Sequence, residues 1–131
     1  MKELKVFQPI EGIKVLIVED DVVNIFLISK IFDQWHIGFD LIPSSKEVED
    51  ALRIQQYHLL LIGICVPLMD SLPVIKLLKA SCFPDIPILI FSSALTEEEK
   101  MDALNAGADN LLDKPFEIDL LYEKIRSSLS Q

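Results

Sequence analysis

No run of apolar residues in this 131-residue chain approaches the length of a membrane span, and the amino-terminal MKELKVFQPIEG has no apolar segment of the secretory kind. A spanning helix and a secretory leader are therefore not expected, and a cytoplasmic location is. Cysteine is scarce: Cys65 and Cys82 are neither close-spaced nor accompanied by histidines at metal-ligand spacing, which points to free thiols rather than a disulfide framework or a zinc site. Basic residues are outnumbered, 12 against 21 acidic, for a net charge of −9. Such a surface is not drawn to phosphate backbones or anionic headgroups, so nucleic acid and membranes are not expected as direct partners. Only four glycines are present and none makes a phosphate loop after the first apolar run, which leaves binding of a nucleotide or small anion as the lowest-ranked function.

What the chain has is apolar mass. Half of the residues are hydrophobic and a quarter charged, the composition of one well-packed globular domain. Mean hydropathy is +0.35, high for a chain of this size. Either a sheet is buried on both faces or a partner covers apolar surface. Residues 1–11, with Pro9, are expected as a lead-in segment, and 12–131 as a single compact unit without repeats.

Short, nearly continuous apolar runs at 13–18, 39–42, 59–64, 86–91 and 110–112 suit strands buried on both faces. Helical periodicity fills the gaps, at 22–35, 45–55, 73–80, 97–106 and 118–129. Two starts have capping-box spacing, Ser44 with Glu47 and Thr96 with Glu99, while Gly38 and Gly107 are expected to stop the first and fourth helices. Strict strand–helix alternation predicts an α/β fold, a five-stranded parallel sheet with helices on both faces. In such a sheet ligands gather at the carboxyl ends of the strands, where strand order reverses. The residues there are Glu19 and Asp20, Gly63, Ser92 and Lys114.

Four segments, VLIVEDDVVN (15–24), HLLLIGICVPLMD (58–70), PILIFSS (87–93) and GADNLLDKPF (107–116), resemble in order and spacing the signature stretches of response-regulator receiver domains of two-component signalling. The resemblance runs from Ile13 onward and implies the flavodoxin-like (β/α)5 receiver fold. It implies that Glu19 and Asp20 are the acidic pair that holds Mg²⁺, a hard cation preferring carboxylate and water oxygens. By the same resemblance, Ser92 contacts the phosphoryl oxygens and Lys114 offsets their charge. The aspartate that accepts the phosphoryl group falls four residues before Pro67, and the residue there is Gly63. Leu111 stands where the family usually has a switching aromatic ring.

Each residue also has an ordinary reading. Acidic residues suit a helix start, a lone lysine is usually solvated, and a strand glycine often marks a bulge or close backbone approach. The shared placement at strand ends favours the site. The first helix projects one apolar face of Ile25, Leu27, Ile28, Ile31, Phe32 and Trp35, with Val22, Val23 and Phe26 outside it as a candidate partner surface. The resulting expectation is a non-enzymatic, phosphorylation-independent interaction module that binds a histidine kinase, a phosphotransfer protein or another receiver. It requires no cofactor and holds Mg²⁺ at most weakly. The alternative is a receiver that accepts and hydrolyses phosphate on another carboxylate, Glu19, Asp20 or Asp70.

Overall fold

Five strands, β1 (Lys14–Val18), β2 (Gly38–Ile42), β3 (Leu59–Ile64), β4 (Ile88–Ser92) and β5 (Asn110–Asp113), alternate with five α-helices. The helices are α1 (Val22–Gln34), α2 (Val48–Ile54), α3 (Leu72–Leu77), α4 (Glu97–Ala106) and α5 (Ile118–Leu129). This is a computed structural model, and it describes residues 7–64, 71–92, 95–113 and 117–129. The strands form one sheet in the order β2-β1-β3-β4-β5, with every neighbouring pair parallel. Strand order reverses between β1 and β3, whose register sets Val18 beside Ile62.

The pleat divides the core in two. Val15, Ile17, Leu59, Leu61, Leu89, Phe91 and Leu112 pack with Ile28, Ile31 and Phe32 of α1, with Trp35 at its C-cap, and with Leu121 and Ile125 of α5. Leu16, Val18, Leu60, Ile62, Ile88 and Ile90 face the other way, against Val48 and Leu52 of α2, Ile75 of α3, and Ala103 and Ala106 of α4. Alternate strand residues point to opposite faces, so both sets must be apolar, and each fully buried Leu or Ile contributes about 1.5–3 kcal/mol. This two-sided burial accounts for much of the high mean hydropathy. Residues 7–11 join the α1/α5 side: the Phe7 ring lies 5.4 Å from that of Trp35 and 4.7 Å from that of Tyr122, and the Ile10 N–H donates to the Trp35 carbonyl at 2.8 Å.

Local punctuation differs from expectation in three places. Helix α1 is stopped by His36 at φ 60°, not by Gly38, which opens β2. The His36 N–H donates to the Asp33 carbonyl and the Ile37 N–H to that of Phe32, and Phe32 and Ile37 share one core cluster. This is a Schellman ending, in which a hydrophobic contact offsets the cost of a left-handed non-glycine residue. Ser44 caps a 3₁₀ turn, Ser45–Glu47, through the Lys46 N–H at 3.2 Å, and α2 begins after it. Leu27, expected on the packed face of α1, is exposed. The Thr96–Glu99 capping box and the Gly107 stop, at φ 127°, form as anticipated.

Near the base of the sheet the Tyr57 hydroxyl donates to Asp40 Oδ2 at 2.5 Å, with Lys14 Nζ 3.3 Å from the same oxygen. That hydroxyl holds the Asp40 carboxyl below the usual carboxylate range, against partial desolvation and with help from Lys14. Burial, followed by the Asp40 hydrogen bond and charge, pushes the Tyr57 hydroxyl up to about 12. A depressed carboxyl stabilises the fold above its unfolded pKa and loses that contribution as pH falls through its folded value. A raised phenol stabilises it below its unfolded pKa of 10 and loses the contribution as pH climbs toward about 12. Tyr57→Phe is therefore expected to cost about 1 kcal/mol near neutrality, discounted for the exposure of Asp40. The difference from the parent should shrink at both pH extremes. Urea denaturation across pH checks this, and a pH-independent difference would contradict it.

Candidate functional site

The site forms where β1 and β3 diverge. Glu19 directly follows β1, and its backbone N–H donates to the Ile42 carbonyl at 3.1 Å, which fixes the main chain one residue past the strand. The chain then turns through Asp20 into α1. Asp21 is the N-cap, and its Oδ2 accepts the Asn24 N–H at 3.0 Å. Asn24 in turn donates from Nδ2 to Glu19 Oε1 at 2.7 Å. Glu19 is only 3% exposed, whereas Asp20 is exposed. A buried carboxylate needs donors around it, and the Asn24 amide is one of its partners.

Gly63 lies in β3 one residue past Ile62, just as Glu19 lies one residue past its neighbour Val18, so the two stand side by side. A Cβ built on Gly63 would fall 2.5 Å from Glu19 Oε2, 2.8 Å from its Cδ and 3.0 Å from Oε1. Real Cβ atoms do not tolerate such approaches, so the Glu19 carboxylate occupies the space into which a side chain at 63 would grow. The glycine is a site of close approach, though by a side chain rather than a backbone. Gly63 also pairs with Phe91, and Ile64 with Ser92, which pairs in turn with Asp113 of β5.

The structure thus brings Glu19 and Gly63 together and leaves Asp20 on the surface. It sets the Ser92 backbone at the same strand-end edge. The Ser92 side chain, Lys114 and Asp70 lie outside what is described. Leu111 is half-buried and packs on the α2/α3/α4 cluster. Of the acidic pair, the Glu19 carboxylate is buried beside Gly63 and Asp20 is exposed. Among the described residues no three His, Cys, Asp or Glu side chains form a group that could hold a metal ion. Asn24 was not singled out from the sequence. The available signal was its position three residues after an aspartate N-cap, within reach of the strand end.

Beside the site, Val22, Val23 and Phe26 are 78%, 71% and 63% exposed, and Leu27, 46% exposed, extends them into one apolar patch. The Lys30 ammonium lies 5.5 Å from the Phe26 ring centroid. No helix among the described residues is long and apolar enough to cross a membrane.

Residues 15–126 match the family model described as response regulator receiver domain. Among curated proteins, the chain is 28% identical over 117 residues to the transcriptional regulatory protein CrdR of Helicobacter pylori, covering 86% of this chain and 53% of that protein. It is 28% identical over 119 residues to the aerobic respiration control sensor protein ArcB of Escherichia coli, covering 90% of this chain and 15% of that protein. The chain therefore spans about half of one relative and a small part of the other. Among solved structures, the receiver domain of a sensor histidine kinase from Pseudomonas aeruginosa superposes with a TM-score of 0.80 at 21% identity, covering 92% of this chain and 99% of that one. Its structure has a magnesium ion coordinated in the active site cleft.

The Asn24–Glu19 contact generates an expected outcome. Asn24→Ala removes a donor from a buried carboxylate and should destabilise the domain by about 1–2 kcal/mol. Denaturant unfolding checks it, and a change within about 0.3 kcal/mol would mean the contact is immaterial to the buried charge.

Proposed function

Because the chain belongs to the response regulator receiver domain family, we propose that it serves two-component signalling as a docking module that takes no phosphoryl group. The observation that carries this reading is the residue at position 63. The Gly63 register, four residues before Pro67, corresponds to the family's acceptor aspartate, and glycine offers no oxygen to phosphorylate. Among the described residues, the side chain nearest that position is Glu19, whose carboxylate is buried and engaged with Asn24. In this reading Glu19 and Asp20 are vestiges of a metal pair, and Ser92 and Lys114 vestiges of the phosphoryl contacts. Mg²⁺ binds weakly at most, because a cation that dehydrates reluctantly gains little from two carboxylates where the family supplies three. Leu111 lacks an aromatic ring to swing inward, so the α4 and β5 side of the domain has no phosphorylation-linked switch.

Receivers work with histidine kinases or phosphotransfer proteins, and the proposed partner here is one of these or another receiver. The contact surface is the start of α1, where Val22, Val23 and Phe26, joined by Leu27, expose apolar area beside the strand-end edge. The domain performs no turnover of its own and needs no cofactor.

Incubation with phosphoramidate or acetyl phosphate and Mg²⁺, followed by intact-mass measurement, should leave the mass unchanged. Calorimetric titration should show Mg²⁺ binding no tighter than millimolar. Addition of one phosphoryl group to the parent protein would favour the rival in which Asp20, Glu19 or Asp70 accepts phosphate, and peptide mapping would identify the carboxylate.

A further inference from the structure

We propose that Glu19 is the standing occupant of the missing acceptor's place, and that positions 19 and 63 are interlocked so that an inward Glu19 and any side chain at 63 exclude each other. The inference deepens the docking-module reading and rests on it for its functional meaning, which is that a carboxylate already sits at the acceptor position and holds this edge in one state. The interlock itself is a matter of packing. Register sets the two residues side by side, and the absence of a Cβ at Gly63 leaves room that Glu19 fills. Its Oε2 lies 2.5 Å from where that Cβ would be, well inside van der Waals contact. The Asn24 amide, at 2.7 Å from Oε1, is one positioning group, and it is held by its own N–H bond to the Asp21 cap.

The interlock also bears on the acidic pair. The Glu19 carboxylate is engaged beside Gly63 and with Asn24, so the loss of the acceptor removes the covalent step and ties up one member of the Mg²⁺ pair. An acceptor restored by Gly63→Asp alone meets the same obstruction and requires Glu19 to leave.

Gly63→Ala provides the test, because a methyl group adds neither an acceptor nor a metal ligand and keeps phosphate chemistry out of the result. Denaturant unfolding of the parent, Gly63→Ala, Glu19→Ala and the double variant forms a double-mutant cycle. Gly63→Ala should raise the unfolding constant of the parent several-fold, by about the cost of pushing the Glu19 carboxylate out of its buried place. In the Glu19→Ala background the same change should be neutral or stabilising, because the methyl enters empty space and restricts the unfolded chain. Glu19→Gln keeps the shape, so in that background Gly63→Ala should be as costly as in the parent. Equal effects of Gly63→Ala in the parent and Glu19→Ala backgrounds would overturn the interlock. If Gly63→Ala alone fails to fold, a folded double variant supports the proposal, and an unfolded one overturns it. If Gly63→Ala folds, calorimetric titration with MgCl₂ supplies a second readout. Evicting Glu19 toward Asp20 should tighten Mg²⁺ binding several-fold, and Glu19→Gln should abolish that gain. Unchanged affinity in a folded Gly63→Ala protein also counts against the proposal. Phosphorylation of the parent would sink the docking-module reading alone, and an additive cycle the interlock alone.

Discussion

The buried carboxylate of Glu19, lying in the space beside Gly63, depends on nearly every level of the structure below it. The parallel register of β1 and β3 brings the two residues abreast. That register is in turn enforced by apolar side chains on both faces, since a slip of one residue would exchange the two core sets. The charge is tolerable because α1 begins at the right place to deliver Asn24, and α1 begins there because Asp21 caps it. Strand pairing, helix capping and the electrostatics of the site are therefore one connected arrangement.

The same arrangement joins the site to the surface. Asp21, Asn24 and Glu19 form a chain of hydrogen bonds through the first turn of α1, and that turn carries Val22 and Val23 on its solvent side. In a receiver that takes up phosphate, the charge at this edge changes between two states. Here a carboxylate of the protein itself lies at this edge, and in the proposed reading the apolar start of α1 is presented from a base with a single charge state. Exposed apolar residues are common singly. Four in one patch beside the strand-end edge are a better basis for a docking surface.

The sheet and its helices were legible in the sequence because two-sided burial leaves an unmistakable mark: runs such as 59–64 have almost no polar residue. The capping box at Thr96 and Glu99 and the glycine stop at 107 were legible for the same reason, as local chemistry with a single structural use. The end of α1 was not, because the contact between Phe32 and Ile37 lets His36 take a left-handed conformation for which glycine is the usual choice. Leu27 was misassigned because helical projection gives a face but not its width, and the buried face of α1 is narrower than its apolar arc. At the site, motif register located Glu19, Asp20, Gly63 and Ser92 at the strand-end edge. It could not reveal that Glu19 turns inward, because that orientation follows from a missing side chain on another strand. Asn24 escaped notice because an asparagine in the first turn of a helix has several ordinary uses.

If the acceptor position is filled from within, no phosphoryl-like group is held at this edge. Beryllium fluoride with Mg²⁺ builds a tetrahedral phosphoryl mimic on an available carboxylate, and backbone amide resonances report it residue by residue. The account predicts that adding beryllium fluoride and MgCl₂ to the ¹⁵N-labelled domain leaves the amides of Glu19, Asp20, Gly63 and Ser92 unshifted. Saturable shifts clustered on those residues would contradict it, since they would mean that the edge still accepts the group it is said to exclude.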